Sequence, residues 1–458
     1  MIYDDDYSFR EVKCSSSSNN DGSKFGRLFP TLPPFAKDTE KVRAALLELG
    51  KKGGIMNQES NNQDNPSMLS GFTFLGQFID HDITFDPTSS FEQQNDPEAI
   101  KNFRTPVLEL DSIYGGGPFV DPHLYDITTG GIKFLIEKVS SAENAPNDIP
   151  RNSQNTGLIV DPRNDEHMII AQLHLAFLKF HNAVVDHLAD RIKNPIERFF
   201  EAQRLVRWHY QWIVLHEFLP HIVGKSMVRQ ILKGGRRFYK WEKEPFIPVE
   251  FAIAAYRFGH SQVRPFYRVN ERFGALVFDA RINPTDPDPN DLRGGKRAQR
   301  RFVQWDNFFD TGTGTPQKGK KIDTTLSSPM FELPFVPFPN SLAQRNFLRE
   351  LAFGLPSGQD VARKMSIEPL LRSDLSDVAA LGFDRKTPLW FYILREAEVK
   401  ADGRRLGPVG GRIVAEVLIG LLEEDKQSFL SQNSNWVPTL GTNGKFGMAD
   451  LLKFAGVA

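Results

Sequence analysis

Four chemically capable side chains stand in the stretch FLGQFIDHDITFDP (residues 74–87): Gln77 and, crowded into one turn, Asp80, His81 and Asp82. Around them stand Phe74, Leu75, Phe78, Ile79, Ile83 and Phe85. The spacing predicts a helix over 71–83, with Pro87 as its terminating signal, in which Gln77 and His81, four residues apart, share a face. Asp80 and Asp82 then flank His81 at about 100° on opposite sides, because ~3.6 residues make a turn. A helix this apolar suits burial, yet burying two carboxylates and an imidazole uncompensated is costly. Either a cation, covalent link or cofactor sits against this turn, or the helix lies at the surface and its histidine is incidental.

Three other stretches carry residues that could answer it. TPVLELD (105–111) offers side-chain and backbone oxygens at Thr105, Val107, Glu109 and Asp111, the type of donor set a hard cation such as Ca²⁺ collects. Asp82 could complete that shell. VDPRNDEHM (160–168) places Arg163 and Glu166 at the start of a long helix. AAYRFGHSQVRPF (254–266) puts His260 at the end of an apolar helix, beside Gly259, which permits close approach of a large flat group.

The elements that must position these residues read as helices. Ile169, Ile170, Leu173, Phe177, Phe180 and Val184 recur at helical spacing between Asp165, a candidate N-cap, and about Ile192. Further helical patterns cover about 195–221, 248–260, 341–351, 359–364, 388–399 and 411–424. Strand signals are few and short, so the fold class is mainly α, a single large helical domain over 25–458. Residues 1–24, which include SSSSNNDGS, form a flexible N-terminal arm. The segments 57–67 and 140–155 read as polar linkers, 104–118 as a loop, and 281–325 as mostly irregular and exposed.

Bulk properties narrow the function. The 458 residues carry 56 basic and 57 acidic side chains, which gives no reason to expect nucleic acid; the basic run 293–301 reads as a solvated face. Cys14 is the lone cysteine, which excludes an intrachain disulfide and a cysteine-based zinc or iron–sulfur site. The acidic start MIYDDDYSF is unlike a signal peptide, and no apolar run approaches the ~18 residues of a membrane span. The expected location is cytoplasmic, or secreted without a cleavable signal.

Five motifs in order, GQFIDHD, TPVLELDSIYGGG, DPRNDEHM, YRFGHS and NFLRELAFGLPSGQD, resemble the animal-type haem peroxidases of the peroxidase–cyclooxygenase superfamily, in a compact bacterial-type form. The resemblance runs from FGRLFPTLPPF to about residue 425. It implies that His81 is the distal histidine, that Gln77 lines its pocket and that Arg163 is the distal arginine. It further implies haem b, ester-linked through Asp80 and Glu166, with His260 as axial iron ligand and Asn346 accepting the proton of that ligand's other nitrogen. Arg257 and Arg349 match positions near the propionates. Asp82, Thr105, the Val107 carbonyl, Glu109 and Asp111 match a calcium site. His167 stands where one family member has a methionine that makes a third haem link, so that link is impossible here.

The function so implied is an oxidoreductase that reduces hydrogen peroxide and oxidises halide, thiocyanate or small organic donors. A neutral imidazole can accept and return a proton during peroxide cleavage, through a ferryl intermediate, while an arginine stabilises the leaving oxygen. Two other readings stay open: a haem-dependent fatty-acid dioxygenase and a non-catalytic structural or adhesion protein on the same scaffold. Dioxygenases of the superfamily carry a tyrosine three residues before the axial histidine. Arg257 occupies that position here, and Tyr256, one residue earlier, is expected to face away. His174, His181, His209, His216, Trp208 and Trp212 read as packed or surface residues rather than as ligands or relays.

Overall fold

A computed structural model describes residues 25–85, 104–143, 145–241, 244–279, 281–283, 286, 288–295, 298–334 and 336–458. The N-terminal arm and Pro87 lie outside them.

The expected helix over 71–83 forms as α1 (Gly71–Ile83). It ends where Thr84 turns extended and directs both its N–H and its hydroxyl to the Asp80 carbonyl, each at 2.9 Å. Helix α2 (Met168–Leu188) starts three residues later than Asp165. Pro162 instead opens a 3-10 turn over Pro162–Asp165, and His167, extended and bridged to Arg293, becomes the N-cap. The Asp165 carboxylate is taken by Arg151 at 2.6 Å. Helix α3 (Pro195–Ile213) is capped by the Asn194 side chain and continues through a wide π turn, Val214–Phe218, into a short helix ending at Val223.

These helices pack through their aromatic faces. Phe78 of α1 stacks on Phe177 of α2, with ring centres 4.5 Å apart and planes 7° from parallel, and meets Tyr210 of α3 edge-on at 6.2 Å. Offset and edge-on pairs of this kind add to the burial of large apolar surfaces.

A second group faces them: α4 (Leu342–Ala352), α5 (Leu389–Ala401) and α6 (Pro408–Glu424). All three pack against the segment 250–260. That segment is not the regular helix its periodicity implies. It is a wide π turn over Glu250–Ala254 followed by a tight 3-10 stretch over Ala255–His260. Gly410 lets α6 approach α5, since a Cβ there would sit 2.5 Å from Ile393 Cγ2.

The strands are short pairs, such as Asp64–Leu69 with Lys318–Lys320 and Phe266–Arg268 with Gly274–Leu276, both antiparallel. The first of these begins inside the expected linker 57–67, and the strand Asn147–Asp148, paired with Glu137–Lys138, lies inside the expected linker 140–155.

Two expectations need correcting. The region 281–325 is largely irregular but not exposed, because Leu292, Trp305, Phe308 and Phe309 are core residues. Arg301, from the basic run, is fully buried and donates to the carbonyls of Pro289, Asp291 and Arg293, while Arg293 pairs with Asp291 at 2.8 Å. These arginines tie irregular backbone together by satisfying its carbonyls. Also, α2 is long and apolar enough to cross a membrane, contrary to the reading of the sequence, but 83% of its most apolar stretch is buried inside the fold.

Candidate active site

A cavity of about 550 Å³ lies between the two helix groups, within the usual range for small-molecule and cofactor sites. Gln77, Asp80 and His81 line it from α1, Glu166 and His167 from the turn before α2, and Tyr256, Arg257, Gly259 and His260 from the irregular segment. Residues separated by more than 170 positions in sequence thus share one space. Phe72, Phe74, Phe258, Val277, Met330 and Leu342 supply apolar walls.

The α1 side is an ordered hydrogen-bond array. His167 Nδ1 accepts the Ile170 N–H, so its proton is on Nε2, which donates to Gln77 Oε1 at 2.7 Å. Gln77 Nε2 in turn donates to Glu166. The Nε2 atom of His81 lies 4.0 Å from the same Glu166 oxygen, and its Nδ1 meets Asn164 Oδ1 at 2.8 Å. Burial raises the Glu166 pKa, although half its side-chain surface is open, as suits a carboxylate facing a deep cavity.

Arg163 does not line the cavity. Its guanidinium reaches behind His81, donating to the carbonyls of His81 and Thr84 and to Asp161, and lies over the Phe85 ring at 5.0 Å. Burial would raise the Asp161 pKa, but Arg163, with His81 and Arg104, holds it down at about 2. The peroxide-side role implied for Arg163 thus meets a geometry in which it buttresses the His81 backbone.

On the opposite side, Asn346 of α4 lies 2.9 Å from His260, Nδ2 to Nδ1. Here the direction differs from the expectation. Arg257 Nη1 donates to Asn346 Oδ1, so the amide nitrogen, not the oxygen, faces the imidazole. An arginine can only donate, and that fixes the amide. His260 is half-buried, and desolvation followed by the Arg257 charge pushes its pKa down to about 3, leaving the neutral ring that binds metals. Burial, then Arg349, lowers the Arg257 pKa to about 10. Arg349 lies over the Phe353 ring at 5.2 Å, and neither it nor Asn346 lines the cavity. Tyr256 does, contrary to expectation. The tightened 3-10 stretch shifts residues around the axis relative to a regular helix, and the buried Tyr256 hydroxyl has no hydrogen-bond partner.

The proposed calcium residues come together only in part. The fully buried Asp82 carboxylate accepts the Leu110 N–H at 3.1 Å through Oδ2, while Oδ1 has no hydrogen-bond partner. Burial, then repulsion from Glu109 and Asp111, pushes the Asp82 pKa up to about 8. Burial and Asp111 likewise push Glu109 up to about 7. Such mutual repulsion is what a bound cation relieves. Asp111, however, is paired with Arg104 at 2.6 Å, and among the described residues no group of three His, Cys, Asp or Glu side chains is arranged as a metal shell. The Thr105 carbonyl accepts the Val107 N–H at 2.8 Å.

Sequence reasoning missed Asn164. Its only signal was its place next to Arg163. The remaining histidines pack as expected: His181 bonds Tyr114 and the Ile132 carbonyl, and His209 the Leu205 carbonyl. Trp208 is core, its indole bonded to the Gln427 carbonyl.

Solved structures resemble this fold over nearly its whole length. Peroxidase A from Dictyostelium discoideum superposes with a TM-score of 0.64 at 17% identity, covering 94% of this chain and 93% of that one. A fatty acid alpha-dioxygenase from Arabidopsis thaliana gives 0.59 at 14% identity, covering 95% of this chain and 76% of the other. The fold is that of the helical haem peroxidases. By sequence, the family model for animal haem peroxidase matches residues 88–285, a span that includes Arg163 and His260 but not His81 or Asn346. Chorion peroxidase of Drosophila melanogaster is 28% identical over 293 residues, covering 60% of this chain and 34% of its own length. Peroxidasin homolog pxn-2 of Caenorhabditis elegans is 30% identical over 347 residues, covering 71% of this chain and 25% of its own. The chain thus spans about a quarter to a third of these two relatives. Residues 88–285 match an animal haem peroxidase domain.

Proposed function

We propose that this protein is a haem peroxidase that reduces hydrogen peroxide and oxidises halide, thiocyanate or small organic donors. The observation that carries the reading is one cavity with the imidazoles of His81 and His260 contributed from opposite helix groups. The residues fit haem. The cavity volume suits a cofactor, a Cβ at Gly259 would meet nothing within 4 Å, and His260 is held neutral. When bound there, haem would supply the iron that binds peroxide and stores the oxidising equivalents. His260 would hold it on one side, with Asp80 and Glu166 as the candidates for ester links at its rim. Binding iron through His260 Nε2 also asks that nitrogen to give up its proton, or the Asn346 amide to turn.

His81 presents its Nε2 to the cavity, where a hydrogen-bonded imidazole can accept a proton from peroxide and return it. Gln77 and His167 hold Glu166 in place beside it. Arg163 fixes the end of α1 and adds positive charge behind His81. Asp82 and the 105–111 loop are proposed to hold Ca²⁺, which would anchor α1 from its other flank.

The test is an absorption spectrum of purified holoprotein with and without peroxide, followed by a donor screen. We expect a Soret band and peroxide turnover, with His81→Ala lowering turnover about 10²–10⁴-fold. A colourless protein after hemin reconstitution, or a His81→Ala variant near the wild-type rate, would sink the proposal. A second reading, fatty-acid dioxygenase, is favoured by one observation, the presence of Tyr256 in the cavity lining. Oxygen uptake with linoleate, lost in Tyr256→Phe and without peroxide-driven dye oxidation, would replace the first reading with the second.

A further inference from the structure

Behind His81 lies a buried chain of three side chains from three elements. His81 Nδ1 meets Asn164 Oδ1 at 2.8 Å, and Asn164 Nδ2 meets His174 Nδ1 at 3.1 Å. Asn164 belongs to the 3-10 turn, its own N–H fixed to the Asp161 carbonyl at 3.0 Å, and His174 to α2. Asn164 is fully buried, and His81 and His174 are 4% and 1% exposed, so water does not compete for these bonds. Among the other buried histidines, His181 and His209 bond to carbonyl or hydroxyl groups remote from the cavity lining.

A primary amide presents one accepting end and one donating end. With its oxygen on His81 and its nitrogen on His174, Asn164 requires a proton on His81 Nδ1 and a bare lone pair on His174 Nδ1. The two imidazoles must therefore hold opposite tautomers. Burial pushes the His174 pKa down to about 4, so at neutral pH that ring has the lone pair the amide needs.

We infer that Asn164 and His174 are positioning residues that fix His81 as its Nδ1–H tautomer, leaving the Nε2 lone pair free to take a proton from a hydroperoxide. With the amide reversed, His81 would carry its proton on Nε2 and meet the peroxide as a donor only. Asn164 Oδ1 is the hydrogen-bond partner of His81 Nδ1, so removing that oxygen removes the preference. The kinetic part of this inference rests on the proposed peroxidase reading, whereas the tautomer part does not.

The test uses the full-length chain labelled with ¹⁵N at histidine, with any bound haem in the diamagnetic ferrous carbon monoxide form. Long-range ¹H–¹⁵N spectra at neutral pH report which ring nitrogen is protonated, and His81→Gln and His174→Gln assign the two signals. Expected are Nδ1–H for His81 and Nε2–H for His174. Asn164→Leu should abolish the His81 preference, while Asn164→Asp, which still accepts, should keep it and release His174. In peroxide kinetics Asn164→Leu should lower kcat/KM about 10–100-fold, with Asp at that position restoring most of it. The same tautomer in both rings, Nε2–H at His81, or a His81 signal unmoved by Asn164→Leu would overturn the inference. If the leucine variant does not fold, the wild-type pair of tautomers and the Asn164→Asp spectrum decide. Wild-type protein with the expected tautomers but no peroxide turnover would sink the peroxidase reading and leave the assignment of His81 standing.

Discussion

His81 and Asp82 are neighbours in sequence with opposite surroundings. One turns its Nε2 to the cavity, and the other is buried against Leu110 with an unpartnered oxygen. A carboxylate in that position is stabilised by a cation and strained without one. Calcium in 100-fold excess over its Kd should therefore stabilise the fold by about 2.7 kcal/mol, read as a higher melting temperature than with a chelator present. Asp82→Asn should erase the difference, and a wild-type melting curve indifferent to calcium would remove the site. The ester links proposed for Asp80 and Glu166 are tested just as directly. Acidic organic solvent should leave haem on the wild-type chain, and quantitative extraction would rule the links out.

At the scale of elements, irregularity is concentrated where the cavity is built. The 250–260 segment widens and then tightens, and this brings Tyr256, Arg257 and His260 to one wall. The turn carrying Glu166 is held from outside by the segment 291–295: Gly294 N–H donates to the Glu166 carbonyl at 2.9 Å, and Met168 N–H to the Leu292 carbonyl at 2.8 Å. A Cβ on Gly294 would stand 1.5 Å from the Asp165 carbonyl oxygen, a backbone atom with little room to yield. Gly294→Ala should lower stability by about 1–3 kcal/mol or more and displace Glu166. The denaturant midpoint measures the first effect, and loss of covalently retained haem the second. An unchanged midpoint would show that the two segments are not packed as described.

Over the whole molecule, the two helix groups share a continuous core in which several histidines are sealed. Burial pushes the pKa values of His174, His181 and His209 each from 6.5 down to about 4. A depressed folded-state pKa means that the unfolded chain binds more protons as pH falls, so the stability these residues allow is present above about 6.5 and is lost towards 4. These three residues take up as many as three protons on unfolding across that window, while buried carboxyls such as Asp82 and Glu109, held protonated in the fold, act in the opposite sense. His181→Asn should therefore change the slope of the denaturant midpoint against pH by about one proton relative to the wild type, and identical slopes from pH 6.5 to 4 would contradict the buried neutral state.

The sequence by itself determined the mainly α class, the extent of most helices and the candidates Gln77, His81, Glu166 and His260. Each of these is written in local spacing, and apolar periodicity survives whatever the helix packs against. Local spacing could not reveal Asn164, because its importance lies in meeting His81 and His174 from two other elements. The family resemblance implied the opposite direction for the Asn346 amide, which Arg257 sets from a different segment, and local spacing gave the wrong facing for Tyr256, which depends on a departure from ~3.6 residues per turn. It read Arg301 as solvated, although carbonyls from three nearby residues enclose it. Hydrogen-bond direction and burial are properties of what folding brings together, and only the tertiary structure decided them.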